Sequence, residues 1–284
     1  STVIKNDRTL GQMRVSEIKA NDIKQVQKYL KDYGLSARSN NDYMAHLKHV
    51  FKKAIDDEYI DRNPCSGIEN IRSTETPVTE TKHRALTKEE TTAFFQESKD
   101  SYYNNIFRLM IQTGMRLGEV TALTYADIDG RKNCIHVTRT VTRGEYGEYL
   151  LGDSAKTKTG KRDIAMNSTI KDIIADQKNQ NTSFFGNTIP FDAVLFRSME
   201  GGLLRDYTIN REIKRICKRA GIEEFTSHAF RDTFATRFIE QRPHEFKVLS
   251  EILGHADVKI TLNLYTHVMN ESKVTAMESI CIPM

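Results

Sequence analysis

The sequence lacks the features that would assign it to a membrane or to the secretory pathway. No apolar run approaches the roughly 20 residues that a membrane-spanning helix needs, and the N-terminus has no charged segment followed by an apolar one. Cysteine is scarce, and Cys65, Cys134, Cys217 and Cys281 are scattered without a CxxC spacing. We therefore expect a cytoplasmic protein with reduced, partly buried thiols, and neither a disulfide framework nor a zinc site.

The sequence also has little excess charge. Its formal net charge is +4 over 284 residues, with 28% charged and 38% hydrophobic residues. This composition is typical of a globular chain with two domains, because one hydrophobic core usually serves about 100 to 200 residues. A basic face is compatible with so small a total, since acidic side chains elsewhere offset it. Nucleic acid is therefore permitted as a partner but not required.

Residues 1–70 have the apolar periodicity of helices. One helix is predicted from a cap at Asn21 to Gly34. A second helix has apolar residues at i, i+3, i+4, i+7 and i+8, namely Leu47, Val50, Phe51, Ala54 and Ile55. Its opposite face carries three lysines that could lie along a DNA phosphate backbone, Lys48, Lys52 and Lys53. A solvated surface explains any one of these lysines equally well.

A second domain follows a linker. Residues 71–86 are polar, rich in threonine and free of apolar periodicity, which predicts the linker. Residues 87–284 open with the spacing of a capping box, Thr87 and Glu90. Helical patterns dominate this domain, but CIHVTRTV and RDIAM have the composition of strands and predict a small antiparallel sheet. The expected fold class is mainly α with a small antiparallel β-sheet in the second domain.

Four separated motifs in the second domain carry cationic or nucleophilic side chains. They are TGMRLGEV with Arg116, KTKTGKR, HAFR with His228 and Arg231, and LGHADVKITLNLYTHV with His255 and Tyr265. Arginine forks match phosphate oxygens and can stabilise a phosphoryl-transfer transition state without a metal. A tyrosine can hold a covalent phosphoester that conserves the energy of the broken bond. Surface arginines and chance helix pairs explain any single motif, but the ordered set is specific.

In this order the motifs resemble those of the tyrosine recombinases, also called phage-type integrases. They are most similar to the integrases of conjugative transposons from Gram-positive bacteria. The resemblance covers the whole second domain, and the helical N-terminal region resembles the core-binding domain of the family. It implies a two-domain clamp on double-stranded DNA that cleaves and rejoins strands through a 3′-phosphotyrosine, and so excises and integrates a mobile element.

The resemblance also implies partners. They are the mobile-element ends and the target DNA, further copies of the chain in a dimer to tetramer on DNA, and an accessory excision or DNA-bending protein. No cofactor, no metal and no membrane is implied. An arm-binding region that relatives carry at the N-terminus has no counterpart in this sequence, so we expect residues to be missing from that end.

The resemblance assigns a role to individual residues. Arg116 and Arg231, with His228, are implied to hold the non-bridging oxygens of the scissile phosphate. His255 is implied to donate a hydrogen bond to that phosphate, and Tyr265 to attack it. Glu119, three residues after Arg116, resembles the acidic residue that orients the site, although an exposed helix carboxylate is the alternative.

The assignment of the general acid remains open between two lysines. Alignment on the strand RDIAM favours Lys156. Lys158 stays open, because side chains repeat every second residue in an extended segment and both lysines would share one face. Two other classes of protein fit part of the pattern: a type IB topoisomerase, which uses the same residues as a monomer, and a DNA-binding protein without activity.

The residues after Tyr265 predict a short C-terminal helix. Its apolar stripe consists of Val274, Met277, Ile280 and Cys281. A helix of about 12 residues is marginal in water, so it needs a partner. That partner is either the chain's own second domain or, as the resemblance favours, a neighbouring copy.

Overall fold

The computed structural model describes residues 3–5, 8–72, 84–144, 147–153, 160–255, 257–258 and 262. The chain divides into two compact units, Ser1–Lys82 and His83–Met284. Three predicted site residues, Lys156, Lys158 and Tyr265, and the predicted C-terminal helix lie outside the described residues. None of the helices in the described part has the length and apolar character that crossing a membrane requires.

The first unit contains two helices and a short hairpin. The helices are α1 (Ala20–Asp32) and α2 (Ala37–Asp56), and the hairpin pairs β1 (Val3–Lys5) with β2 (Arg8–Thr9). The predicted cap at Asn21 is wrong, because the cap of α1 is Lys19, two residues earlier. The Asp22 carboxylate accepts the Lys19 backbone N–H at 2.9 Å and so satisfies a donor that the helix leaves open.

The core of the first unit confirms most of the stripe predicted on α2. Ile23, Met44, Phe51 and Cys65 form the buried cluster, and Leu47 packs against it. Val50 is the exception, since its side chain is 59% exposed. Val50 lies at the edge of the apolar stripe, and at this edge the helix surface faces solvent and not the core of the unit. Three lysines are exposed on the opposite side of α2: Lys48, Lys52 and Lys53.

The second unit is mainly helical, as predicted. Its helices are α3 (Lys88–Glu97), α4 (Asn104–Thr113), α5 (Leu117–Ala122), α6 (Ser168–Phe185), α7 (Asp206–Ala220), α8 (His228–Gln241) and α9 (Phe246–Leu253). The capping box is confirmed: the Glu90 N–H donates to Thr87 Oγ1 at 3.1 Å, and the Thr87 N–H donates to Glu90 Oε2 at 2.9 Å. These reciprocal bonds fix where α3 begins.

The β-structure of the second unit consists of a sheet and a separate hairpin. The sheet has the order β3 (Ile128–Asp129), β4 (Cys134–Val137), β7 (Arg162–Ala165), and the hairpin pairs β5 (Arg139–Arg143) with β6 (Tyr149–Asp153). All pairings are antiparallel. The stretch CIHVTRTV therefore divides into two strands with different partners, whereas the sequence indicated one sheet. The pairing of β4 with the strand RDIA is confirmed.

An aromatic cluster holds the helices of the second unit together. Phe94, Phe107, Phe225 and Phe230 have ring centroids 5.2 to 5.8 Å apart and are at most 6% exposed. Truncation of a buried phenylalanine costs about 3 to 5 kcal/mol. The cluster therefore fixes α3, α4 and α8 as one rigid support for the loop that follows α4.

The loop after α4 depends on a glycine. Gly114 ends α4 with φ of 64°, and a Cβ at this position would lie 2.5 Å from Phe234 Cδ1 and 2.8 Å from Leu253 Cδ2. Both the left-handed backbone and the lack of space therefore require glycine. Its small size lets α4, α8 and α9 approach one another, which is where the candidate site lies.

Candidate active site

Arg116 lies at the start of α5, immediately after the turn at Gly114. Its side chain is 44% exposed, and its Nη1 donates to Glu119 Oε1 at 3.0 Å. Its backbone N–H donates to Glu119 Oε2 at 2.9 Å. The cap of α5 thus fixes the backbone of Arg116, while much of its guanidinium group stays accessible to a ligand.

Glu119 is a buried anion. Its side chain is 3% exposed, so the alternative of an exposed helix carboxylate is wrong. It also accepts two bonds from Arg162, at 3.1 Å from Nη1 and 2.8 Å from Nη2. Burial by itself raises the pKa of Glu119, but the hydrogen bonds and charge of Arg162 outweigh it, and the pKa lies below its ordinary value. The carboxylate is therefore ionised at neutral pH.

Arg162, which received no role from the sequence, connects three elements at this point. Its side chain is 7% exposed, forms the bidentate pair with Glu119, and donates from Nε to the carbonyl of Ile252. It thereby joins the first residue of β7 to α5 and α9. The alternation of β7 was the available signal, because Arg162 shares a face with the buried Ile164. An arginine on an apolar face predicts a buried partner.

Arg231 is anchored by two carbonyl groups. It is 3% exposed, and donates from Nη1 to the Gly114 carbonyl at 2.8 Å and from Nη2 to the Leu253 carbonyl at 2.7 Å. Burial, followed by the charge of Arg116, lowers the pKa of Arg231 to about 9. The side chain is thus held rigidly and remains charged at neutral pH.

His228 opens α8 one helical turn before Arg231. Its side chain is 52% exposed, and its Nε2 lies 3.7 Å from Oδ1 of the buried Asp232. His228 and Arg116 line the same open cavity of about 420 Å³. Two of the predicted cations therefore face one space, although 112 residues separate them in the chain.

His255 follows Gly254, the left-handed residue that ends α9. Burial, followed in order by the charges of Arg231, Arg116 and Arg162, lowers the pKa of His255 to about 4. His255 therefore lies within the field of all three arginines and is neutral at pH 7. With Arg162 it lines a second cavity of about 290 Å³.

Among the described residues, the tertiary structure thus brings together Arg116, Glu119, Arg231, His228 and His255. The three lysines of α2 belong to the first unit. Arg116 and Arg162 bond to the buried carboxylate of Glu119, and Arg231 lies within the electrostatic influence of all three groups. Positive charge is in excess, so a bound anion would relieve the repulsion that lowers the pKa values of Arg231 and His255.

This fold and this site define a class of protein: a mainly helical protein of two units with a cationic site that suits an anion. The description "Phage integrase family" matches residues 84–272, and "Phage integrase SAM-like domain" matches residues 5–71. The chain belongs to the phage integrase family, the tyrosine recombinases, which are enzymes that cleave and rejoin DNA. The resemblance read from the motifs is confirmed.

Similar proteins include mobile-element enzymes of Gram-positive bacteria. The transposase from transposon Tn916 of Enterococcus faecalis is 27% identical, over 97% of this chain and 69% of its own length. A XerC-like tyrosine recombinase of Caldanaerobacter subterraneus is 28% identical, over 98% and 74% respectively. The solved Tn1549 transposon integrase in complex with a circular intermediate DNA is 25% identical, covers 98% of this chain and 90% of its own, and has a TM-score of 0.73. These relatives favour an integrase over a type IB topoisomerase.

Proposed function

We propose that this protein is the site-specific recombinase of a mobile element, with Tyr265 as nucleophile. It excises and integrates the element by cleaving and rejoining double-stranded DNA through a 3′-phosphotyrosine. The observation that carries the proposal is the pair of Arg116 and Arg162 on the buried Glu119, next to the buried Arg231, with the Arg116 side chain 44% exposed. The similarity to the Tn916 transposase and the Tn1549 integrase supports a mobile element as the substrate.

The positions of Arg116 and Arg231 support the following cleavage step. The Tyr265 oxygen bonds to the scissile phosphorus and gives up its proton to solvent, while the bond from phosphorus to the 5′-oxygen breaks and that oxygen takes a proton from the general acid. Arg116 and Arg231 offset the charge that develops on the non-bridging oxygens. Rejoining reverses the step, since the 5′-hydroxyl of a new strand attacks the phosphotyrosine. The phosphoester conserves the bond energy throughout.

The leaving 5′-oxygen needs a proton, and His255 is a poor source. With a pKa of about 4, about one His255 side chain in a thousand is protonated at pH 7 in the DNA-free protein. A neutral imidazole still has one N–H, so His255 is assigned as a hydrogen-bond donor to the phosphate. Glu119 orients Arg116. The acid role falls to Lys156, with Lys158 as the alternative.

A nicked suicide substrate tests the nucleophile. Tyr265→Phe removes the attacking oxygen only, so the covalent protein–DNA adduct should vanish while DNA binding stays close to normal. Tyr207→Phe is the matched control, because a hydrogen bond with Arg205 lowers the pKa of Tyr207 and makes it the rival phenol among the described residues. An adduct that persists in Tyr265→Phe and disappears in Tyr207→Phe would overturn the assignment.

A 5′-phosphorothiolate substrate separates the two lysines. Its sulfur leaves without a proton, so a variant that lacks the general acid should recover on it. Lys156→Ala should cleave normal DNA poorly and the phosphorothiolate well. Lys158→Ala should show no selective recovery, and the opposite pattern would exchange the two roles.

The partners follow from the reaction. Exchange between two duplexes breaks four strands, and each chain supplies one Tyr265, so we propose that dimers on each site assemble into a tetramer. Lys48, Lys52 and Lys53 are exposed on one side of α2 and are assigned contacts with DNA phosphates. An accessory excision or DNA-bending protein would select the direction. Because bacterial DNA lies in the cytoplasm, we place the enzyme there.

A further inference from the structure

A second group of reactive side chains lies on the three-stranded sheet. In the register of the sheet, Asp129 is opposite Cys134, and His136 is opposite Asp163. Residues directly opposite each other in an antiparallel pair share a face, and so do residues two apart on one strand. Asp129, Cys134, His136 and Asp163 therefore all project from one face of the sheet.

The other face of the same sheet belongs to the core. It carries Ile135, Val137 and Ile164, which are at most 5% exposed, together with Arg162 of the active site. The acidic and thiol-bearing face is thus separated from the cationic site by the thickness of the sheet.

The donor atoms on this face are close enough to share one ion. One donor atom from each of Cys134, His136 and Asp163 lies within 4.8 Å of the other two. His136 Nδ1 lies 2.7 Å from Asp163 Oδ1 and 4.0 Å from Cys134 Sγ. A tetrahedral ion with bonds of about 2.0 to 2.3 Å holds its ligand atoms roughly 3.3 to 3.7 Å apart. Side-chain rotations that move each donor atom by less than about 1 Å would therefore produce the coordination geometry.

Asp129 is placed to orient the imidazole. Its Oδ1 accepts the backbone N–H groups of Arg131 and Lys132, each at 2.9 Å, and its Oδ2 lies 3.5 Å from His136 Nε2. A carboxylate that accepts the second N–H of a metal-bound histidine fixes the tautomer and the ring. His136 would then turn Nδ1 towards Cys134 and Asp163.

We propose that Cys134, His136 and Asp163 bind a divalent transition-metal ion, with Zn²⁺ the best match to a thiolate, an imidazole and a carboxylate. Binding releases the Cys134 thiol proton, and His136 binds the ion through an unprotonated Nδ1. Asp163 is 62% exposed, so water can complete the coordination from that side. The ion would link β4 to β7 at the residue next to Arg162. The site is independent of the proposed DNA chemistry, because it includes none of the residues assigned to cleavage.

Cobalt is the probe, because Co²⁺ reports thiolate ligation by a charge-transfer absorption band. The full chain, first stripped with a chelator, is titrated with Co²⁺ and then with Zn²⁺. We expect one Co²⁺ per chain with a thiolate band, and loss of that band on addition of Zn²⁺. A chain that binds no Co²⁺ with a thiolate band would overturn the proposal.

Matched variants locate the site. Cys134→Ser should remove the band, while Cys65→Ser, which changes a buried free thiol of the first unit, should retain it. Asp163→Asn keeps the fold intact because the side chain is exposed, and should weaken binding at least about tenfold. A band that persists in Cys134→Ser, or an unchanged affinity in Asp163→Asn, would place the ion elsewhere and refute the site.

Discussion

Two histidines of the second unit lie in opposite electrostatic environments. His255 lies among Arg231, Arg116 and Arg162, and burial together with these charges lowers its pKa to about 4. His136 lies between carboxylates, and the hydrogen bond with Asp163 raises its pKa above its ordinary value. The same side chain is therefore neutral at pH 7 in one place and retains a proton more readily in the other.

The difference shows how one small domain keeps two kinds of site apart. The cationic cluster has three arginines and two buried carboxylates, Glu119 and Asp232, and its excess of positive charge suits an anion such as a DNA phosphate. The cluster on the sheet has two carboxylates and a thiol, which suits a cation. The β-strand alternation separates them, because Arg162 and Asp163 are neighbours in sequence but lie on opposite faces of β7.

The largest effect is expected from Arg116→Lys in the cationic cluster. An ammonium group keeps the charge but cannot form the two parallel bonds of a guanidinium, so cleavage should fall on the order of 10²- to 10³-fold. Suicide-substrate cleavage rates measure the loss. Arg108→Lys is the control, since Arg108 pairs with Asp176 at the surface and should cleave normally. Near-normal cleavage by Arg116→Lys would make Arg116 an ordinary surface residue.

A smaller effect, on stability, is expected from Glu119→Gln. The change leaves Arg162 buried with an amide instead of a carboxylate, and breaking a buried ion pair costs about 3 kcal/mol or more. Asp163→Asn, on the face of the sheet that carries Cys134 and His136, should change the free energy of unfolding by less than about 1 kcal/mol because the Asp163 side chain is exposed. Urea denaturation measures both. Equal losses would mean that burial does not distinguish the two clusters.

The smallest effect is the titration of the two histidines. In chelator-treated protein, NMR should show His136 taking up its proton at a higher pH than His255, which should stay neutral down to about pH 4. Asp163→Asn should move only the His136 titration towards lower pH. Arg116→Lys retains the charge and should leave His255 unchanged. A His255 that titrates near pH 6.5 would show that the arginine cluster is not formed in solution.

The two shifts affect stability with opposite signs. His255 has a folded pKa below its unfolded value of about 6.5, so the unfolded chain takes up the proton first. Its contribution to stability is present above about pH 6.5 and is lost as the pH falls towards 4. His136 has a raised folded pKa. Its contribution is present below about pH 6.5 and is lost as the pH rises through the folded pKa.

Local signals in the sequence predicted the helices well. Thr87 and Glu90 fixed the start of α3, because a capping box needs only residues three apart. The cap at Asn21 and the burial of Val50 were predicted wrongly. In both cases a neighbouring group was responsible. The Asp22 carboxylate accepts the backbone N–H of Lys19 and so places the start of α1, and the contact with α1 sets the width of the buried stripe on α2.

The sequence predicted which residues form the candidate site but not which side chains contact one another there. Motif order pointed to Arg116, His228, Arg231 and His255, and the structure brings these four residues together. Arg162 was missed, because its partner Glu119 is 43 residues away and no local sequence pattern predicts that these two residues pair. The roles of Tyr265, Lys156 and Lys158 remain predictions.

The sequence by itself determined the family and the mainly helical class, because the order of the motifs and the local apolar periodicity can be read along the chain without knowing which residues meet in space. Only the tertiary structure decided how charged these groups are and what they can bind. Arg231 reaches the Gly114 carbonyl across 117 residues, and Asp163 reaches His136 across 27. Burial and the charges of distant neighbours set the pKa of a side chain. Those neighbours are chosen by helix packing and strand register, which bring together residues that lie far apart in the sequence.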